Sequence, residues 1–224
     1  MNLSLRIGAG AFAFAIGASA FALTVPFTED FDTDAANWRD APGASTLDWF
    51  GAGGVDNGPY ASGVFNFVNT QDEDTPILLR GQAGFNSSGG AFVGDWIDGG
   101  VTELSFFLRH DVGAPIDLFV RLATPGNFPA ALAFIFTPTP SDEWTQISIP
   151  IDPSNPQFVS FSGSNFNTVF SNIGNIQIGA IVDGSLAGLD QEFRFDLDRV
   201  SIVPGPGGVA LLALAGVAGM RRRR

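Results

Sequence analysis

"VTELSFFLRHDVGAPIDLFVRLA", residues 101–123, alternates apolar and polar side chains on both sides of a short turn. Leu104, Phe106 and Leu108 fall on one face and Ser105, Phe107 and Arg109 on the other, the period of two that marks a half-buried β-strand. The turn "DVGAP" carries Gly and Pro. Read as a hairpin, it sets Arg109 opposite Asp117, Phe107 opposite Phe119 and Ser105 opposite Arg121. Arginines on that face then pair with acids, and binding an acidic sugar is the alternative use for them.

The same alternation recurs outward in both directions, in "TVPFTEDF", "TLDWF", "GVFNFV", "PILLRG", "AFVGDW", "ALAFIFT", "WTQISIPI", "FVSFSG" and "IQIGAIVD". No segment keeps a helical stripe long enough to compete, although residues 166–175 have room for one helical turn. Short strands separated by Gly, Pro, Asn and Asp predict an all-β chain: an antiparallel β-sandwich of the jelly-roll type over residues 23–203. In the last strand, "EFRFDLDRVSIV", the apolar parity runs through Phe193, Phe195 and Leu197 and then switches to Val200 and Ile202. That switch predicts a β-bulge near Asp198 and Arg199. The bulge aims Asp196 or Asp198 at the first strand, where "FTEDFDTD" offers Glu29, Asp30, Asp32 and Asp34, and a cation between the two strands would offset their repulsion.

Composition bounds the chemistry. The chain has 224 residues, 45% hydrophobic and 15% charged, with 28 Gly, 14 Pro, 22 Phe and no Cys, which is globular and turn-rich. Without Cys there is no disulfide, thiolate metal site or Cys nucleophile. All 23 acids lie between positions 29 and 198, and the domain over residues 23–203 holds only six arginines beside them, a net of −17. Such a domain does not bind nucleic acid through phosphates, and it attracts cations, Ca²⁺ above all. His110 is the only histidine and falls at a strand end, on the face of Leu104, Phe106 and Leu108. No G-x-S-x-G, H-E-x-x-H or Walker-type sequence accompanies it, and Lys is absent, so the domain is expected to be non-catalytic. The alternative is a glycan-active enzyme on the same sandwich, which needs two carboxyls about 5 to 9 Å apart in a groove.

The two ends carry targeting information. Residues 1–22 have one positive charge at Arg6, an apolar stretch over 7–18 and small residues before Ala20 and Ala22, the pattern of a cleaved secretory signal peptide. Residues 204–224, "PGPGGVALLALAGVAGMRRRR", comprise a Pro/Gly turn, a short apolar run suited to a membrane helix, and Arg221, Arg222, Arg223 and Arg224.

That ending resembles the PEP-CTERM sorting signal of bacterial envelope proteins, in which a Pro-x-Pro motif, a transmembrane stretch and an Arg cluster are recognised by an exosortase. Pro204 and Pro206 match the two prolines, and Gly205 stands where the name-giving Glu would be. The resemblance implies export, membrane tethering before processing, and a cell-envelope or extracellular destination. The strands "FTEDFDTDAANW" and "FRFDLDRVSIV" resemble the edges of galactose-binding-like carbohydrate-binding modules. This second resemblance implies a structural Ca²⁺ where those strands meet, with Glu29, Asp32, Asp196 and Asp198 as its ligands, and an extracellular polysaccharide partner. Sugar rings stack on exposed aromatics, which makes Trp49, Tyr60, Trp96 and Trp144 the candidates, with core packing as their alternative role.

Overall fold

The computed structural model describes residues 23–205. The expected signal peptide, and in the sorting segment Pro206, the apolar run and Arg221, Arg222, Arg223 and Arg224, lie outside the described residues; Pro204 lies within them, at the end of the last strand.

The described residues form eleven strands and one helix: β1 Phe27–Glu29, β2 Asp48–Phe50, β3 Tyr60–Asn66, β4 Ile77–Gln82, β5 Val101–His110, β6 Ile116–Ala123, β7 Ala130–Thr139, β8 Thr145–Pro150, β9 Phe158–Ser160, α1 Phe166–Phe170, β10 Asn175–Ile181 and β11 Glu192–Pro204. Two antiparallel sheets result, one in the order β2-β3-β11-β5-β8 with β1 added against β11, the other in the order β4-β10-β6-β7-β9. This is the β-sandwich the alternation predicts. The short helix falls inside the stretch that had room for one turn, and its N-cap Asn165 accepts from the Thr168 amide at 3.0 Å. The stretch at 91–96 departs from expectation: it turns rather than forming a strand, held by an isolated bridge from Gly94 to Ile173 and by the Trp96 amide donating to the Phe170 carbonyl at 2.8 Å.

Strand β11 organises the first sheet. One edge pairs with β5, and the other passes from β3, along residues 192–197, to β1, along residues 200–202. The register against β5 shifts between Asp198 and Ser201, and Arg199 adopts a left-handed φ of 48°. The bulge therefore sits where the parity switch places it, and it lets Phe193, Phe195, Leu197, Val200 and Ile202 all enter the core.

The hairpin expected across residues 101–123 does not form. β5 and β6 lie in different sheets, so Arg109 stands opposite Asp196, Phe107 opposite Asp198 and Gln146, and Ser105 opposite Ser148 and Ser201. Both edges of β5 are already occupied, by β11 and β8, which leaves β6 no edge to join. Residues 111–115 instead carry the chain over the end of the sandwich, and the apolar faces of the two strands line the shared core from opposite sides. Phe31, Trp38, Phe67, Phe106, Phe170 and Phe195 are almost fully buried there, and an aromatic side chain removed from water contributes about 1.5–3 kcal/mol.

Candidate functional site

The outer face of the second sheet carries a line of polar side chains. Arg80 on β4 stands opposite Gln177 on β10, Gln177 opposite Arg121 on β6, Arg121 opposite Leu132 on β7, and Leu132 opposite Ser160 on β9. Residues directly opposite in adjacent strands share a face, so this row crosses the whole sheet on the side away from the core. Arg39 extends it past β4: its amide donates to the Arg80 carbonyl and the Arg80 amide to the Arg39 carbonyl, each at 2.9 Å.

The turn between β6 and β7 closes one side of the row. Asn127 adopts a φ of 65°, and its Oδ1 accepts from Arg121 Nη1 at 2.7 Å and from Gln177 Nε2 at 3.1 Å. Arg121 also donates to the Asn127 carbonyl and to Gln177 Oε1, the latter at 2.7 Å. Phe128, the next residue of the same turn, is 67% exposed and does not line the groove itself. Phe119 forms part of the floor. Its ring lies against β10 at Gly179, where an added Cβ would come within 2.3 Å of the ring, so this close approach requires glycine. The result is an open groove of about 380 Å³, with no Asp or Glu among its lining residues.

Electrostatics single out this face. Among the described residues, ion pairs involve Arg109 and Arg199, and neither Arg80 nor Arg121 forms one. Burial pushes the Arg121 guanidinium below the usual arginine range, and the like charge of Arg80 adds to the effect. Burial does the same to Arg80, with Asp40 acting against it. The Asp40 carboxylate is itself engaged by the amides of Ala44 and Ser45, at 2.9 and 3.2 Å.

On the opposite sheet, the corresponding arginine is fully committed. Arg109 donates to Asp196 Oδ2 from Nε at 2.9 Å and from Nη2 at 2.7 Å, and to the Gly53 carbonyl from Nη1 at 3.2 Å. Its guanidinium also lies 4.5 Å from the Trp144 ring centroid and 5.2 Å from that of Tyr60. Tyr60 stacks on Phe50 at 5.0 Å and meets Trp144 edge-on at 5.6 Å. This cluster pins the loop at 51–59 to the sheet, and Trp144 Nε1 adds a bond to the same Gly53 carbonyl.

Of the four aromatics proposed for sugar stacking, Tyr60 and Trp144 meet in this cluster, while Trp49 and Trp96 lie outside it. Trp96 is wholly buried, with Nε1 bonded to the Phe92 carbonyl at 2.8 Å, so its ring is a core element and not a stacking platform. Tyr60 is covered by Phe50 and Trp144 and is only 5% exposed. Trp49 is exposed at the sheet edge with Nε1 held by the Phe31 carbonyl, and Trp144 is half-buried over Arg109. Of the groove's residues, Arg121 is one the sequence offers, as an arginine whose alternative use is binding an acidic sugar; Arg80, Asn127 and Gln177 carry no such signal in the sequence. The signal available was an outward-facing arginine on β6, which the hairpin register had placed against Ser105.

Three of the four carboxylates expected to meet at a calcium ion have other partners. Asp196 is held by Arg109 and by Ser62 Oγ at 2.6 Å, Asp198 Oδ2 accepts from the Val55 amide at 2.8 Å, and Glu29 Oε1 accepts from the Phe31 amide at 3.0 Å. Asp32 does not join them: among the described residues, no three Asp, Glu or His side chains stand together as a metal-holding group. The donor set therefore does not fit the four-carboxylate site. Burial raises the carboxyl groups of both Glu29 and Asp198 above the usual range.

His110 ends β5, as its place in the alternation predicts, and is buried. Its Nε2 lies 3.0 Å from the Thr139 carbonyl and its Nδ1 3.4 Å from the Val112 amide, an arrangement that suits the neutral ring with the proton on Nε2. Burial lowers its pKa below the ordinary histidine value.

No protein-family model and no curated protein matches the chain. Solved structures similar to it include the carbohydrate-binding-module and catalytic-module pair of endo-1,4-β-D-xylanase 10B of Clostridium thermocellum, complexed with xylohexaose (14% identity, 79% of this chain and 28% of that one, TM-score 0.47). Others are an exo-β-agarase (11%, 82% and 26%, 0.49) and the family 11 carbohydrate-binding module of a cellulosomal cellulase of Clostridium thermocellum (13%, 82% and 96%, 0.42). The chain thus spans about a quarter of the two enzymes and nearly all of the isolated module.

Proposed function

We propose that this is an exported cell-envelope or extracellular-matrix protein whose sandwich binds polysaccharide without cleaving it, and that the groove across the second sheet is the binding surface. The observation that carries this reading is the row Arg80, Gln177 and Arg121, closed by Asn127, which presents hydrogen-bonding groups along an open trough, with the exposed Phe128 next to Asn127 on the same turn. A trough crossing several strands suits a chain-like ligand that lies across the sheet. Hydroxyl groups offer acceptors to the guanidiniums and donors to the amide oxygens, and Phe128 supplies an apolar surface for a sugar ring. Hydrolysis needs a pair of carboxyls, and the groove's lining residues include none. Export follows from the signal-peptide pattern, and the PEP-CTERM-like ending adds recognition by an exosortase and tethering to the membrane before processing.

Affinity electrophoresis of the purified protein through gels containing a panel of polysaccharides tests this reading. At least one polysaccharide is expected to retard migration, with no release of reducing ends and with retardation reduced by Gln177→Ala. Free migration through every gel overturns the reading.

A further inference from the structure

Six arginines accompany 23 acids in this domain, and three of the six, Arg39, Arg80 and Arg121, stand in one row across one sheet. With acids in such excess, a purely structural arginine has partners close at hand, as Arg109 has in Asp196 and Arg199 in Asp56. The row lacks them. Arg80 and Arg121 are separated by two strand spacings of about 4.8 Å, hence about 10 Å, with only the neutral Gln177 between them. Arg39 Nε is buried with no hydrogen-bond partner. Burial works against the charges of Arg80 and Arg121, and the like charge of Arg80 adds to the effect at Arg121; Asp40 acts the other way at Arg80, and the groove lining itself includes no acid.

We infer that the groove selects an anionic polysaccharide, one whose sugar units carry carboxylate or sulfate groups that the guanidiniums of Arg80 and Arg121 engage. Resting on the polysaccharide-groove reading, it names the class of ligand the groove takes. The planar fork of a guanidinium matches a carboxylate or a sulfate through paired N–H donors, and such charge-assisted bonds are roughly twice as strong as neutral ones. The domain as a whole, at a net of −17, repels an anionic polymer. The arginine row is thus the place where such a chain can settle, and the surrounding repulsion restricts it to that place.

Titration of the purified protein with polygalacturonate and with its methyl ester, and with a sulfated galactan and its desulfated form, tests the inference. Binding to at least one anionic polymer is expected to exceed binding to its neutral counterpart by about tenfold or more, equivalent to about 1.4 kcal/mol. The carboxylate and sulfate arms identify which anion is taken. Arg121→Gln and Arg80→Gln should each remove most of that preference, whereas Arg199→Gln, which changes the net charge equally, should preserve it. Equal or tighter binding to the neutral polymers, or a preference that survives both groove substitutions, overturns the anionic inference and leaves the polysaccharide reading standing. Binding to no polysaccharide overturns both. Since the ester and desulfated arms use the unaltered protein, a misfolded variant does not blunt the test.

Discussion

Asp196 receives two bonds from the guanidinium of Arg109 through a single oxygen, Oδ2, while its other oxygen takes the hydroxyl of Ser62. The carboxylate is almost completely buried in the middle of the first sheet, and the arginine lies against the rings of both Tyr60 and Trp144. Removing one member of a buried pair leaves the other charge uncompensated. Asp196→Ala is therefore expected to destabilise the fold by about 2–4 kcal/mol in urea denaturation. A loss below about 1 kcal/mol would show that the pair is solvated.

Gly179→Ala tests the floor of the groove. The new Cβ would approach the Phe119 ring to 2.3 Å and the Pro76 carbonyl to 2.5 Å, so the ring must move. Overpacking of this kind costs about 1–3 kcal/mol. The melting temperature is expected to fall, with polysaccharide binding weakened alongside it. Unchanged melting would mean that the ring swings away freely.

Stability should depend on pH through His110. Burial lowers its pKa in the folded state, so the unfolded chain binds the proton more readily. Its contribution is fully present above the unfolded value of about 6.5 and is lost as pH falls from there through the folded pKa. Glu29 and Asp198 act in the opposite sense at lower pH: their raised carboxyls stabilise most when protonated, and that contribution is lost as pH rises through their folded pKa values. Denaturation at several pH values should show His110→Gln removing the fall in stability below about 6.5, and Glu29→Gln flattening the acid side. A pH profile identical in all three proteins contradicts this assignment.

Calcium is expected to leave the melting curve within about a degree, because Asp196 would have to leave Arg109 before it could ligate. A folded-state ligand at 100 times its dissociation constant adds about 2.7 kcal/mol, which is several degrees for a domain of this size. A drop of that size on adding EDTA would restore the site expected from Glu29, Asp32, Asp196 and Asp198.

At the carboxyl end, the intact mass of the envelope or secreted protein should lack Arg221, Arg222, Arg223 and Arg224. Replacing the four with Ser should leave export intact and disturb retention and processing. Mature material that still carries the arginines would identify the tail as an ordinary anchor.

The sequence by itself determined the sandwich, the inward set of side chains and the bulge at Arg199, because alternation and its interruption are local properties of a strand that must bury one face. Period two says which way Arg121 points. It does not say what stands beside it. Strand partners were decided by the tertiary structure, in which β11 and β8 occupy both edges of β5 while β6 pairs with β10 and β7 in the other sheet. The groove depended on that choice: Arg121 and Gln177 are 56 positions apart and meet only through the pairing of β6 with β10. Likewise, whether Trp96 would be a platform or a core residue was decided by burial across the two sheets, which no single stretch of the chain records.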